Sequence, residues 1–190
     1  MKKVFLAAAI VTLGIAANAQ TTFGVKAGLN IANLTGDTEG LNTSSLTSFN
    51  AGAFANIPVS SQFSVQPEVL YSGEGAKATG GKLALNYVNI PVLFQYNNSG
   101  FYGELGPQLG ILTSAKAKPD DGDDTDIKDV LKSTNFSLAF GAGYKLAGGL
   151  GFGVRYNLGL SNIADSDEGT LKSNTFAVGV SYAFGKHSGK

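Results

Sequence analysis

The sequence predicts an all-β protein, an eight-stranded antiparallel up-and-down β-barrel whose strands cross a membrane. Three observations support this prediction. Charged residues make up only 15% of the 190 residues and hydrophobic residues 43%, whereas a soluble domain carries roughly 25% charge. Apolar residues alternate with small or polar ones at period two in segment after segment. The connections between these segments alternate between short and long, as in barrels that cross a membrane.

Residues 1–19 have the three parts of a secretory signal peptide. A pair of lysines precedes an apolar run from Val4 to Ala16, and Ala17-Asn18-Ala19 forms an A-x-A cleavage site. The apolar run is shorter than the roughly 18 residues that a membrane-spanning helix needs. We therefore expect cleavage, which leaves residues 20–190 as one barrel domain. Taking two lysines from the 14 basic residues leaves 12 against 14 acidic ones, which argues against a nucleic-acid partner.

Two segments near the C-terminus show the alternation most clearly. From Asn135 to Leu146 and from Leu150 to Ser161, one face is apolar and the other is small or polar. Only Ala147-Gly148-Gly149 separates them, which predicts a hairpin turn. The same pattern, extended in both directions, gives eight strands, and most of them are near the roughly 9 to 11 residues that a tilted transmembrane strand needs. The predicted strands are Thr22 to Asn30, Ser48 to Ile57, Gln62 to Ser72, Leu83 to Tyr96, Phe101 to Thr113, Asn135 to Leu146, Leu150 to Ser161 and Asn174 to Phe184.

The predicted connections fall into two classes. Short turns are expected at Pro58 to Ser61, Asn97 to Gly100 and Ala147 to Gly149. Longer loops are expected at Ile31 to Thr47, Gly73 to Lys82, Ser114 to Thr134 and Asn162 to Ser173. Short periplasmic turns and long external loops are typical of outer-membrane barrels.

Charged side chains indicate which face of each strand points inward. A charge that faces lipid at the membrane midplane costs roughly 2 to 4 kcal/mol. Within the predicted strands, Lys26, Glu68, Glu104, Lys145 and Arg155 all share the parity of the glycines and polar residues. We expect these side chains to pair inside the lumen as a structural plug, because isolated ions are costly there. Glu68 is the favoured partner of the arginine. A secreted lipocalin-like barrel would put its charges outside, so that alternative is disfavoured.

Several segments resemble the PorT-like "porin family" outer-membrane β-barrel domain, which is related in architecture to OmpX and the OmpA barrel. The resemblance rests on Gln66 to Ser72, Tyr87 to Pro91, Gly106 to Gly110, Gly141 to Tyr144 and Arg155 to Ile163.

The end of the last predicted strand resembles the C-terminal signal that the barrel-assembly machinery reads. Gly179, Tyr182 and Phe184 are the candidate residues of this signal, although Gly185 to Lys190 follow them. The family resemblance implies residence in the outer membrane of a Gram-negative bacterium, with outer-membrane lipid and the assembly machinery as partners. It implies no substrate and no cofactor.

Neither a catalytic site nor a metal site is predicted. The only histidine, His187, follows the last strand in a polar tail, with no nucleophile beside it. The acidic run from Asp120 to Asp126 lacks the glycine position and the closing glutamate of a calcium-binding EF-hand. We expect a structural role, or an interaction of the long loops with an external ligand or protein. A narrow pore or small-solute transporter is the alternative, and a lipid-modifying enzyme fits less well.

Overall fold

Eight long strands form a closed antiparallel barrel, which confirms the predicted fold. The computed structural model describes residues 21–36, 43–165 and 169–184. The long strands are β1 (Thr22–Gly36), β2 (Ser44–Pro58), β3 (Phe63–Ala78), β4 (Gly81–Asn98), β5 (Phe101–Pro119), β7 (Thr134–Lys145), β8 (Leu150–Gly159) and β9 (Leu171–Phe184). Around the barrel the order is β4, β3, β2, β1, β9, β8, β7, β5, and β5 pairs with β4 to close the circle.

Two small elements follow β5 at the loop side of the barrel. The two-residue strand β6 (Thr125–Asp126) pairs with the end of β5, and a 3₁₀ helix spans Lys128–Val130. No helix in the described residues is long and apolar enough to cross a membrane. The predicted signal peptide, residues 1–19, and His187 lie outside the described residues, so the expectations for them stay predictions.

The barrel wall is apolar outside and polar inside over most of its height. Exposed side chains include Phe94 on β4, Leu105 on β5 and Val154 on β8. The buried polar side chains point into the lumen: Asn30, Asn50, Ser64, Gln66, Glu68, Ser72, Glu74, Asn89, Gln95, Glu104, Gln108, Asn135, Ser137, Arg155, Asn157, Ser173 and Thr175. A barrel that is surrounded by the hydrocarbon of a membrane requires this distribution of apolar and polar side chains.

Four predicted strand ends at the loop side are wrong, because β1, β2, β3 and β5 continue four to six residues beyond them. The predicted start of β7 lies within one residue of the observed one, and β8 ends two residues earlier than predicted. The loop expected at Gly73 to Lys82 is a tight turn at Thr79 and Gly80, with β3 and β4 paired up to Ala78 and Gly81. β5 likewise continues to Pro119. In these extensions the polarity inverts, since apolar residues point inward and lysines outward. The apolar residues of the outer face therefore end before these strands do.

Aromatic side chains on the outer face surround the turn side of the barrel. Phe63 and Tyr96 lie opposite each other on β3 and β4, with ring centroids 5.2 Å apart. Phe101 and Tyr144 lie opposite each other on β5 and β7, at 4.7 Å. The turn between β4 and β5 has two residues, and Ser99 (φ 50°) and Gly100 (φ 88°) both adopt left-handed backbone conformations, as tight hairpins require.

Candidate functional site in the barrel lumen

Arg155 lies at the centre of a buried ionic network that crosses the lumen. Its Nη1 donates to Glu68 Oε2 at 2.7 Å and its Nη2 to Glu68 Oε1 at 2.9 Å. Its Nε donates to Glu104 Oε1 at 2.7 Å. The side chains are 7%, 0% and 3% exposed for Arg155, Glu68 and Glu104. Two carboxylates therefore hold one guanidinium in a geometry that favours strong, charge-assisted hydrogen bonds.

The barrel topology explains both contacts of the arginine. β8 and β3 stand four strands apart around the eight-stranded circle in either direction, so Arg155 and Glu68 meet from opposite walls. Glu104 lies on β5, and Gly141 of β7 separates it from Arg155 in one ladder row. A Cβ on Gly141 would lie 3.1 Å from Glu104 Oε1 and would collide with the backbone oxygen of Val154. The missing side chain thus opens the path between the two charges.

Lys26 joins this network, whereas Lys145 does not reach a carboxylate within the described residues. Lys26 Nζ lies 3.3 Å from Glu68 Oε1. Lys145 Nζ donates to the side-chain oxygens of Gln95 and Asn97, both at 2.9 Å. Because Gln95 in turn donates to Glu104 Oε2 at 3.0 Å, an amide connects the second lysine to the ionic network.

Two aromatic rings fill the lumen at the turn side of the network. Lys145 Nζ lies 4.9 Å from the ring centroid of Tyr102, and this ring occupies the space beside Gly143 and Gly153. The ring of Phe54 occupies the corresponding space over Gly24. Glycines within these strands thus make room for aromatic side chains.

Glu74 is a buried carboxylate of the lumen. It lies in β3 and is 3% exposed, so the prediction of a loop from Gly73 to Lys82 is wrong for this residue. Ser173 donates to its Oε2 at 2.7 Å, and Asn89 donates to its Oε1 at 3.0 Å. The sequence does contain a sign of this position, since Glu74 has the same parity as the inward-facing Glu68 on the same strand.

An apolar cluster seals the loop end of the lumen above Glu74. Its buried members are Leu34, Ala76, Leu85, Tyr87, Leu112, Ala115 and Ile163, and Leu83, Ile127, Leu131 and Leu171 pack against them. Residues from the segments after β5 and β8 therefore fold inward over the barrel. We call this cluster the apolar cap.

A small cavity lies beside the ionic network in the lumen. Its volume is about 50 Å³, and Arg155, Asn157 and Asn89 are among its lining residues. The buried atoms Asn157 Oδ1 and Thr175 Oγ1 have no hydrogen-bond partner among the described residues. A space of this size and polarity suits a few water molecules.

The other predicted sites lie apart from this network. In β9, the side chains of Tyr182 and Phe184 point outward and are 48% and 51% exposed, and Gly179 pairs with Gly28 of β1. In the acidic run, Asp124 accepts a hydrogen bond from Lys118, which lowers the pKa of the aspartate. Within the described residues, no group of three or more acidic, histidine or cysteine side chains could hold a metal ion.

The closed barrel, its apolar outer wall and its buried polar lumen define an outer-membrane β-barrel protein. A family model described as the outer membrane protein beta-barrel domain matches residues 18–165, and the chain belongs to this family.

Solved barrels with a similar fold have low sequence identity to this chain. Neisserial surface protein A has a TM-score of 0.56 at 16% identity, over 87% of this chain and 100% of that one. Ail, the attachment invasion locus protein of Yersinia pestis, has 0.52 at 16% identity over the same shares. OprG from Pseudomonas aeruginosa has 0.51 at 15% identity, over 86% of this chain and 95% of that one. A comparison with curated proteins found no match.

Proposed function

We propose that this chain is a non-enzymatic, non-conducting barrel of the PorT-like type, which acts in envelope structure or through contacts of its external loops. The observation that supports this proposal is the filled lumen. An ionic network crosses it, the apolar cap covers its loop end, and the cavity beside the network has a volume of about 50 Å³. A narrow pore or small-solute transporter, the alternative, would require both barriers to move.

The same proposal includes the route to the membrane and the partners there. A cleavable signal peptide exports the chain, and the assembly machinery reads Gly179, Tyr182 and Phe184 on the last strand. The outward position of the two aromatic side chains supports this role, because a receptor for the strand can reach them. The apolar outer wall then contacts outer-membrane lipid, and the longer loops face the exterior, where they meet an external ligand or protein.

Epitope insertion in a strain that lacks the chain tests the role of the loops. The epitope is inserted between Asp121 and Gly122, at an exposed loop tip that tolerates insertion. The matched control carries the same epitope between Ala147 and Gly148, in a turn on the opposite side. We expect both proteins to assemble, with only the loop insertion accessible to antibody on intact cells. The protein with the loop insertion should fail to correct the envelope defect of the strain, and the protein with the turn insertion should correct it.

A lumen variant separates the loop-based role from the pore alternative. Gln108→Ala removes a side chain that lines the cavity. This variant should correct the envelope defect as well as the native chain does. Full rescue by the loop insertion, or altered solute uptake in the Gln108→Ala strain, would contradict the proposal.

A further inference from the structure

Glu74 is a buried carboxylate that forms no ion pair within the described residues. It is 3% exposed, and the ion pairs of the barrel involve other acids. The groups that donate hydrogen bonds to its two oxygens are all neutral: Ser173, Asn89 and Ser72. A carboxylate that is buried without a counter-charge is costly, and such a group normally takes up a proton instead.

The charged side chains around Glu74 point away from it or lie nearer the turn side. The lysines of the strand extensions, which include Lys77, Lys82 and Lys172, have the outward parity of their strands. The charged residues between β5 and β7, and Asp165 after β8, are exposed. The inward charges of the other strands belong to the ionic network or to Lys145, and β2 has no titratable side chain. Within the described residues, no charged group therefore compensates Glu74.

Glu74 lies at the lower edge of the apolar cap and contacts its support. It is directly opposite Leu85, and Ala76 follows it on the inward face of β3; both residues are members of the cap. Tyr87, a third member, is directly opposite Ser72. The buried hydroxyl of Tyr87 has no hydrogen-bond partner among the described residues, so it is available as an acceptor for a proton at this height of the lumen.

This part of β3 stands outside the membrane-spanning wall. The outer face is polar at the height of Glu74, where Asn86 lies opposite both Gly73 and Ser114. Burial raises the pKa of the Glu74 carboxyl above its ordinary value, and the hydrogen bonds that it accepts oppose this rise only in part. The position of the side chain and its surroundings thus both favour the neutral acid.

We propose that Glu74 is a proton-binding site that makes the closure of the apolar cap depend on pH. While the proton is bound, the neutral carboxyl packs under the cap. Once the proton is lost, the carboxylate reaches water only when the segments after β5 and β8 move away from it. The ionic network is a separate barrier, so opening of the cap does not open the lumen, and the inference is independent of the proposed role of the loops.

The direction of the pH dependence follows from the two forms of the cap. In an open cap the carboxyl meets water and has the ordinary pKa of glutamate, about 4.3. In the closed cap its pKa is raised, so the closed form binds the proton more tightly. The stability of the closed cap is therefore complete below the ordinary pKa and is lost as the pH rises through the raised pKa.

Hydrogen exchange of the refolded protein tests the proposal from about pH 4.5, near the ordinary pKa of glutamate, to about pH 8.5. The readout is the protection of backbone amides after correction for the intrinsic pH dependence of exchange. The amides of Ile127 and Lys132 report on the cap, because they donate to Ala115 and Ile163. The part of β5 that pairs with β7 is the internal reference. Glu74→Gln keeps the shape of the side chain without a titratable group, and the control variant Asp120→Asn removes an exposed acid.

We expect the protection of the cap amides in the native and Asp120→Asn proteins to fall with rising pH, by up to about tenfold per pH unit between the ordinary and the raised pKa. The reference amides should keep their protection. In Glu74→Gln the cap amides should be protected equally at every pH, at the level of the native chain in acid.

Three results would overturn the proposal. The first is a native profile without pH dependence, which decides the question even when Glu74→Gln does not refold. The second is a pH profile of Glu74→Gln that matches the native one. The third is recovery of the native protection at high pH on addition of calcium, since a metal ion and not a proton would then neutralise Glu74.

Discussion

Replacing Arg155 with Met should destabilise the barrel by about 3 kcal/mol, the lower end of the range for breaking a buried ion pair. The lower end applies because both carboxylates keep other partners. Glu68 retains Lys26 at 3.3 Å, and Glu104 retains a hydrogen bond from Gln95 at 3.0 Å. The arginine makes two hydrogen bonds to Glu68 and one to Glu104. Its coupling should therefore be about 2 kcal/mol with Glu68→Gln and about 1 kcal/mol with Glu104→Gln.

Two double-mutant cycles on the refolded protein measure these couplings. Urea unfolding in vesicles gives the free energy of unfolding, followed by circular dichroism or tyrosine fluorescence because the chain has no tryptophan. The Arg155→Met/Glu68→Gln protein should be clearly more stable than the sum of the single losses predicts. Losses that add to within about 0.5 kcal/mol for both cycles would refute the ionic network as a coupled unit.

Three further changes address the rest of the barrel, with the free energy of unfolding as the readout. Gly141→Ala should lower the free energy of unfolding by about 1 to 3 kcal/mol, because the new methyl group enters the path between the lumen charges. Gly103→Ala is its control, since a Cβ there meets no atom within 4 Å. Equal losses of stability in the two variants would argue against a role for the missing side chain of Gly141. Val154→Arg should cost about 2 to 4 kcal/mol on the lipid-facing wall, whereas Val59→Arg in an exposed turn should change stability by less than about 0.5 kcal/mol. Leu85→Ala should cost about 2 to 5 kcal/mol by leaving a cavity in the apolar cap; a loss below about 1 kcal/mol would show that the cap is loosely packed.

The membrane-spanning part of the fold could be predicted from the sequence because hydrocarbon imposes a strict rule on each strand. Any charge in this part must point inward, so Glu68, Glu104 and Arg155 marked the lumen face without knowledge of the strand order. The outward side chains of Phe136 and Val154 on neighbouring strands marked the other face. Parity alone thus separated the two surfaces of the barrel.

The loop side could not be predicted in the same way, because water replaces lipid there. Where water surrounds the outer face, Lys82 points outward and Leu85 inward. This reverses the pattern of the membrane-spanning part, in which apolar residues face outward and polar residues face inward. Because of this reversal, the ends of β3, β4 and β5 were predicted to be loops, and Glu74 was not predicted to lie in the lumen. The apolar cap also depends on residues distant in sequence, such as Leu34 and Ile163, and no local pattern brings these together.

Conductance of the refolded native protein in a planar lipid bilayer tests the plugged lumen most directly. The ionic network around Arg155 and the apolar cap are two separate barriers in the lumen, and the cavity beside the network has a volume of about 50 Å³. The structure therefore predicts no stable conductance steps from fully folded, heat-modifiable protein, under conditions in which a known porin gives clear steps. Reproducible open-channel steps from that same folded protein would contradict the plugged lumen.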